Sequence, residues 1–421
     1  MSLNKVEKRL LLYSVLNSIV WILLGGVDVC GDSPTYTDAF GSLLNNRLDI
    51  NRTPVYPIYL GILQYIIGSK FCEIATVIGQ YFIYCISVIY FYRISIYFIQ
   101  SPKVSFVLSL IYIFSPGLYG WNNAILTETF AITGMVFFLY CAIALFERTT
   151  LTNLTAFSFW AIFLNMLRPS FIYLIPLFGF FWFLVLFIKE KRKNAVCGLL
   201  GIICVTSLFV FYLVEYNKEY GVYSPSCVSY VNRYYIARQN GLIEANNASD
   251  PDIKKTIDTN IKERGLYCED GLGIYNEAKE IISVYGLKKF GDLLDSSIKT
   301  HPSQYIKTLG LQIYKAGDYN ILSGDSHVVH KLFNYMFGIH IHHVYLLLLL
   351  YLLFLLYIMI KKKEFPAISV LLFMVGFSNL FLVIVGAQGD WGRLNICVLP
   401  FYLLICGKLF EFFKFGNRVL R

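Results

Sequence analysis

Long apolar runs divide this 421-residue chain, and they constrain its fold more than any other feature. The runs 344–360 and 367–386 approach the roughly 20 residues that an α-helix needs to cross the hydrocarbon core of a bilayer. Charged residues make up only 15% of the chain, whereas a soluble domain contains about 25%. The sequence therefore predicts an all-α polytopic membrane protein.

Ten such runs predict about ten transmembrane helices. They lie at residues 10–27, 72–92, 104–120, 130–146, 152–167, 170–188, 195–214, 344–360, 365–386 and 394–412. The apolar segment 54–68 is shorter and is interrupted by Pro57, so we predict an interfacial or re-entrant helix there and not a span.

Lys and Arg indicate the orientation of these spans. With Lys5, Lys8 and Arg9 on the cytoplasmic side, the basic runs 189–193 and 361–363 and the basic C-terminal tail fall on that side too. The short loops of the other face hold only Arg47, Arg52, Lys70, Arg168 and Arg393. We therefore predict a multi-pass protein with both termini cytoplasmic and its polar loops external, which means periplasmic in a bacterial inner membrane.

This topology predicts three parts. Residues 1–214 form an N-terminal transmembrane module whose first external loop is 28–70; 215–343 form an external, mostly helical domain; 344–421 form a C-terminal transmembrane module. The net charge of +9 favours anionic lipid or phosphate partners. It does not indicate nucleic acid, because Lys and Arg lie in short blocks at the ends of spans.

Three carboxylates, those of Asp28, Asp32 and Asp38, follow the first span within eleven residues. A carboxylate near the edge of the hydrocarbon is costly unless it is paired or functional. It can act as a general base toward a hydroxyl group or hold a metal ion. The stretch Asp32-Ser-Pro34 is equally typical of a helix N-cap. The residues alone leave these alternatives open.

Arg52 follows in the same loop. A guanidinium at the interface suits a phosphate group, because its planar fork donates two parallel hydrogen bonds. For an isolated arginine, however, the favoured interpretation is an anchor that faces the lipid headgroups.

These two motifs together resemble a known family. Asp32-Ser-Pro-Thr-Tyr36, followed by Arg52-Thr-Pro-Val-Tyr56-Pro, resembles the first external loop of the GT-C glycosyltransferases. The most similar branch contains the protein O-mannosyltransferases and the lipid A aminoarabinose transferase. In that branch a second acidic residue lies in the next external loop, and here Glu128 matches it. Further similar stretches are Leu167-Arg168-Pro169, Gly389-Asp390-Trp391-Gly-Arg393 and His301-Pro302.

The resemblance implies an inverting transfer of a sugar from a polyprenyl-phosphate donor to a hydroxyl of a glycan, lipid or protein acceptor at the external membrane face. Asp32 is then the base, and Glu128 is the second catalytic residue. The residues that this resemblance assigns to substrate and phosphate binding are Arg52, Tyr56, Arg168, Arg393, Asp28, Asp38 and Tyr36.

The resemblance leaves the cofactor open. Metal-dependent members of the family often carry an Asp-x-Asp or Asp-Glu pair, whereas Asp28 and Asp32 are four residues apart. No cofactor is firmly predicted, and a divalent cation remains an alternative. Five histidines lie between residues 327 and 343; contact with lipid or substrate phosphate is favoured there over a zinc site. They are His327, His330, His340, His342 and His343.

Two other functions remain as alternatives. An oligosaccharide polymerase or ligase also has about ten spans and a large external loop, and it predicts essential Arg and His in 215–343 with a dispensable Asp32. A lipid-linked sugar flippase or transporter predicts charges within the spans and repeat symmetry. Neither of those two features is visible in the sequence, so the transporter is the weaker alternative.

Overall fold

The computed structural model describes residues 3–321, 338–363, 365–387, 389 and 391–415. Within these ranges every regular element is a helix. The first ten are α1 (Lys5–Gly25), α2 (Ser33–Leu44), α3 (Val55–Ile67), α4 (Ser69–Ile99), α5 (Pro102–Phe114), α6 (Pro116–Asn123), α7 (Glu128–Glu147), α8 (Leu151–Leu167), α9 (Leu174–Val185) and α10 (Arg192–Tyr220).

The remaining helices form one polar group and one apolar group. The polar group contains α11 (Val228–Gln239), α12 (Pro251–Arg264), α13 (Gly271–Tyr285), α14 (Leu287–Thr300) and α15 (Pro302–Ala316). The apolar group contains α16 (Ile341–Lys362), α17 (Ala367–Gly386), the short α18 (Trp391–Asn395) and α19 (Leu399–Phe415). The sequence patterns of 274–285 and 301–314, the second of them amphipathic, predict helices, and these correspond to α13 and α15.

Several helices are suited to a bilayer by length and composition. Among the described residues, seven helical segments are long and apolar enough to cross, and the bent pair α5 and α6 adds an eighth if it forms one span. The helix α8 and the segment Pro169–Val185, which ends with α9, are shorter apolar helices of 17 residues each. The chain is a multi-pass integral membrane protein, as predicted, while the number of ten spans stays a prediction.

Alternating helix directions bring several polar loops to one end of the bundle, which we call the site face. The end of α1 and the start of α7 meet there. The backbone N–H of Asp28 donates to the carbonyl of Asn123 at 2.9 Å, and the N–H of Ile125 donates back to the carbonyl of Asp28 at 2.9 Å. The Ser33 hydroxyl also donates to the carbonyl of Ile125, at 2.9 Å. The first polar loop is therefore fixed to the loop before α7.

Helix α3 is too short to span. Its 13 residues extend about 20 Å at 1.5 Å per residue, against about 30 Å of hydrocarbon. It buries Tyr56 and Leu60 against the bundle, while Tyr65 is 90% exposed and Ile66 is 71% exposed. Apolar side chains thus cover both the buried and the exposed sides of α3, as expected of a short helix that contacts lipid without crossing the bilayer.

The helices α11 to α14 enclose a hydrophobic core of their own, which also contains Leu48 and Ile50 from the first loop. Arg238 and Glu277 form a fully buried ion pair inside it, with Nε and Oε1 3.2 Å apart. Nη1 of Arg238 also donates to the backbone carbonyls of Gly265 and Leu266, at 2.9 Å and 2.7 Å, which offsets part of the cost of burying the charge. Cys227 and Cys268 are buried free thiols, so the structure does not join them in a disulfide.

Gly198 on α10 allows close packing against α9, and its replacement is expected to destabilise the bundle. An alanine Cβ at this position would lie 2.2 Å from Cδ2 of the fully buried Trp182. Gly198→Ala should lower the free energy of unfolding by about 1–3 kcal/mol through overpacking. The measurement is thermal unfolding of the purified protein. Gly179→Ala on α9 is the control, because its Cβ meets only an ordinary contact at 3.8 Å; equal losses for both variants would contradict the packing argument.

Candidate active site

Asp32 lies at the N-cap position of α2, yet its carboxylate does not cap the helix. Oδ1 accepts from Nη2 of Arg52 at 2.7 Å, and Oδ2 accepts from Nη2 of Arg393 at 3.2 Å. The side chain is 39% exposed, so it remains accessible from the site face. Helix capping is therefore not what this carboxylate does, and the functional alternatives remain.

Arg52 is positioned by the turn that precedes it. The Asp49 carboxylate accepts from the backbone N–H groups of Asn51 and Arg52, both at 2.8 Å, which turns the chain inward. The guanidinium donates through Nε to the Thr35 hydroxyl at 2.7 Å and lies 4.3 Å from the centre of the Tyr36 ring. The side chain is only 17% exposed. The favoured interpretation of Arg52 as a lipid-facing anchor is therefore wrong.

Glu128 is the first residue of α7, and it is completely buried. Its Oε1 accepts from Nε of Arg393 at 2.5 Å and lies 3.4 Å from Nη1 of Arg168. Arg168 follows the end of α8 and is itself buried, so it is not a simple interfacial anchor. Arg393 comes from the short helix α18 and joins Glu128 to Asp32.

These five side chains form one connected group, which we call the ion cluster: Asp32, Arg52, Glu128, Arg168 and Arg393. Three guanidinium groups face two carboxylates, so the cluster has a surplus of one positive charge. Such a surplus next to an accessible carboxylate favours an anionic ligand, because each guanidinium can donate to phosphate oxygens in pairs.

The charges of the cluster decide the protonation of Asp32. Partial burial acts to raise the pKa of this carboxyl, but the positive charges of Arg52 and Arg393, with their hydrogen bonds, hold the pKa below its ordinary value. Asp32 is therefore an anion at neutral pH, and as long as both arginines remain on it, it is a weak base.

Two buried tyrosines, Tyr36 and Tyr56, pack next to the ion cluster. The Arg52 guanidinium donates to the hydroxyl of Tyr36 at 3.3 Å, and the Tyr36 ring packs edge-to-face on Tyr56 at 4.9 Å. The hydroxyl of Tyr56 donates to Gln80 at 2.8 Å, and Gln80 donates to two carbonyls of the loop before α7. Both tyrosines are thus placed to hold the cluster in position and have little direct access to a substrate.

Two predicted residues lie apart from the cluster. The Asp28 carboxylate accepts from the Cys30 thiol at 3.6 Å, and its backbone joins the two polar loops. Asp38 is exposed on α2, and among the described residues its carboxylate has no hydrogen bond or ion pair. Geometry therefore distinguishes Asp32 from its two neighbours, which the sequence alone did not.

The structure adds three residues to the site that sequence reasoning missed. Thr35 accepts from Arg52, the Trp121 ring lies 5.6 Å from the Arg393 guanidinium, and the Cys397 thiol accepts from Arg168 at 3.3 Å. The motifs in the sequence pointed to the three arginines but not to these partners. No local signal marks Cys397, because it reaches the site through a contact 229 residues away along the chain.

The cluster does not fit a divalent cation. Both Asp32 oxygens and one Glu128 oxygen face guanidinium groups, which repel a metal ion from the same position. Within the described ranges no group of three or more His, Cys, Asp or Glu side chains has the arrangement of a metal site. We therefore derive no step that passes through a metal.

Three histidines of the second predicted group, His340, His342 and His343, lie at the start of α16. His340 and His342 each use Nδ1 toward a backbone carbonyl, of Asp318 at 2.7 Å and of Gly317 at 3.0 Å. His343 accepts from the backbone N–H of His340. These contacts fix the start of the helix. The predictions for Asp390, His327 and His330 fall outside the described residues.

Comparison with solved structures identifies the architecture. The archaeal oligosaccharyltransferase AglB from Archaeoglobus fulgidus, in complex with an inhibitory peptide and a dolichol-phosphate, is 10% identical with a TM-score of 0.53. The apo form of the Archaeoglobus fulgidus oligosaccharyltransferase is 10% identical with a TM-score of 0.55. The alignments cover 98% of this chain and 51% and 52% of those chains, so this chain spans about half their length.

Protein-family models and curated proteins gave no match to the sequence. The assignment therefore rests on three-dimensional structure. The branch of the protein O-mannosyltransferases and the lipid A aminoarabinose transferase stays a prediction. What the resemblance in the first polar loop implied about the fold is confirmed: the chain has the helical membrane fold of the GT-C glycosyltransferases.

Proposed function

We propose that this protein is an integral membrane glycosyltransferase that moves a sugar from a polyprenyl-phosphate donor to an acceptor hydroxyl. The observation that carries the proposal is the ion cluster, in which one accessible carboxylate lies between two guanidinium groups. A solved neighbour of the same fold was obtained with a dolichol-phosphate, which supports a lipid phosphate of this class as the donor.

The reaction follows from these groups. Asp32 takes the proton of the acceptor hydroxyl as its oxygen attacks the anomeric carbon of the sugar. The bond from that carbon to the phosphate oxygen breaks, and the electron pair leaves with the polyprenyl phosphate. Because attack and departure occur on opposite faces, the anomeric configuration inverts. Arg52 and Arg393 donate to the phosphate as its second negative charge forms.

Donor binding also prepares the base. In the free protein both Asp32 oxygens face guanidinium groups. A donor phosphate competes for the same guanidinium groups, since it accepts from them in pairs. When Arg52 and Arg393 turn toward the phosphate, the Asp32 carboxylate becomes available to the acceptor hydroxyl. In this proposal the site face is external, as the distribution of Lys and Arg favours, and periplasmic in a bacterial inner membrane.

The test is sugar transfer by the purified full chain in liposomes. The donor is a polyprenyl phosphate carrying a radiolabelled sugar, and panels of donors and acceptors are needed because the sugar is not fixed by the site. Release of polyprenyl phosphate together with an acceptor product of inverted anomeric configuration supports the proposal. Retention of configuration contradicts the proposal and favours another mechanism. Transbilayer movement of the donor without transfer also contradicts it and favours a flippase.

A difference between two pH profiles is expected if the donor exposes the base. Activity falls as the pH drops through the pKa of Asp32, because the protonated acid cannot accept a proton. The decline in kcat/KM for the donor reports the pKa of Asp32 in the free enzyme, where Arg52 and Arg393 keep it low. The decline in kcat reports the pKa of Asp32 in the donor complex. Both arginines face the phosphate there, so this decline should begin at a higher pH. Initial rates between about pH 3 and pH 8 test this, and coincident declines would contradict release of the base.

A further inference from the structure

A cleft lies between the first polar loop and the helices α10, α11, α13 and α14. Its volume is about 570 Å³, within the range of roughly 300–1,000 Å³ that small-molecule sites occupy. The side chains that give it chemical character are Asn51, Tyr220, Tyr275, Lys279, Ser283 and Lys288. We call this space the lysine cleft.

The wall of the cleft is held in place by hydrogen bonds. The carbonyl of Ile50 accepts from the backbone N–H of Cys227 at 2.8 Å, and Asn51 Oδ1 accepts from the Cys227 thiol at 3.1 Å. The hydroxyl of Tyr220 donates to the carbonyl of Leu48 at 2.5 Å. The first polar loop is therefore fixed to the polar helices, and the cleft between them is part of the folded structure.

The same wall separates the cleft from the ion cluster. Asn51 lines the cleft, and the next residue, Arg52, sends its guanidinium to Asp32. The cleft and the ion cluster are therefore adjacent, on the two sides of residues 50–52 of the first polar loop.

The chemistry of the cleft favours an anion with hydroxyl groups. Lys279 and Lys288 are exposed, and within the described residues neither lies in a salt bridge. The Lys279 ammonium lies 4.5 Å from the centre of the Tyr275 ring. The lining also contains one carboxylate, that of Glu219, which accepts from the backbone N–H of Leu48 at 2.9 Å, so the two lysines leave the cleft with one surplus positive charge. Two positive charges thus accompany aromatic rings with apolar faces and polar hydroxyls.

The common modes of peptide recognition fit the cleft less well. Binding of an extended peptide by strand addition needs a free sheet edge, and the described part of the chain contains no strand. A helical peptide needs a long apolar groove, whereas this cleft mixes charges, rings, an amide and a hydroxyl. A saccharide uses such a mixture directly, because its ring faces pack on aromatic side chains and its hydroxyls bond to polar groups.

We propose that the lysine cleft binds the acceptor, and that the acceptor is an acidic saccharide whose carboxylate or phosphate groups pair with Lys279 and Lys288. The proposal rests on the proposed function for the identity of the bound molecule as acceptor. Binding of the saccharide to the cleft can be measured without turnover. Binding of the saccharide should weaken as the ionic strength rises, because salt screens exposed ion pairs.

The test measures binding to the full chain in detergent micelles by isothermal titration calorimetry. The probes are oligogalacturonate, a malto-oligosaccharide of equal length, and a poly-glutamate peptide of equal charge. Wild-type protein should prefer oligogalacturonate. The double variant Lys279→Ala/Lys288→Ala should bind it about tenfold more weakly, corresponding to about 1.4 kcal/mol. The control is Lys254→Ala/Lys255→Ala, two exposed lysines on α12 outside the cleft, which should bind as wild type does.

A kinetic measurement separates this proposal from the proposed function. Release of polyprenyl phosphate by hydrolysis, with water as acceptor, should be equal in the wild type and the cleft variant. If neither protein transfers sugar to any acceptor of the panel or hydrolyses the donor, but binding still depends on the two lysines, the proposed function fails while the saccharide site in the cleft is supported. Equal oligogalacturonate binding by the wild type and the cleft variant, or preferred binding of poly-glutamate, overturns the saccharide proposal.

Discussion

Asp32→Asn is expected to lower kcat for sugar transfer by about 10²–10⁴-fold, the contribution typical of a general base. The amide keeps the shape of the side chain but cannot accept the proton. It also removes one negative charge next to Arg52 and Arg393. The KM for the donor should therefore stay equal or fall, because both arginines are freer to bind phosphate. The measurement is steady-state transfer with the donor and acceptor varied separately.

The matched control is Asp38→Asn. Asp38 lies on the same helix, α2, and is exposed. As a surface substitution outside the ion cluster, it should change rates by no more than about twofold. If Asp32→Asn transfers as well as the wild type, the base mechanism is wrong. A polymerase or ligase, for which Asp32 is dispensable, is then the better hypothesis.

The sequence predicted the membrane architecture well because its signals are local. Apolar runs, the interrupted segment before Gly68 and the helices at 274–285 and 301–314 each depend on neighbouring residues, and the structure contains a helix at every one. The polar loops of the site face were also grouped correctly, since alternating helix directions bring Glu128 and Arg168 to one end of the bundle.

The pairing inside the site was not predictable from local patterns. Asp32 and Arg393 are 361 residues apart along the chain, and their contact depends on how the last helices pack. The same reason explains the wrong interpretation of Arg52. As an isolated arginine it resembled a lipid anchor, and only the fold shows that Asp32, Thr35 and Tyr36 surround it.

Arg393→Met is expected to cause a second large loss, because this arginine joins both carboxylates of the cluster. Removing one donor to the developing phosphate charge should cost about 2.7–4 kcal/mol of transition-state stabilisation, a fall of about 10²–10³-fold in kcat/KM. The variant should also unfold more readily. Glu128 is completely buried and keeps only the longer contact with Arg168 at 3.4 Å, and loss of a buried hydrogen bond costs about 1–3 kcal/mol.

A double variant separates these two effects. In Arg393→Met/Glu128→Gln the buried carboxylate is gone but Arg168 has lost its acidic partner too, so the reference is the single variant Glu128→Gln: the double variant should unfold at the midpoint of Glu128→Gln and transfer less well than it. The single variant Glu128→Gln completes a double-mutant cycle, whose coupling term should be favourable because the two side chains are in contact at 2.5 Å. If Arg393→Met changes neither stability nor transfer in the Glu128→Gln background, Arg393 only holds Glu128 in place. If it lowers transfer alone in that background, the charge of Arg393 acts on the reacting phosphate, which is the role that its contact with Asp32 supports.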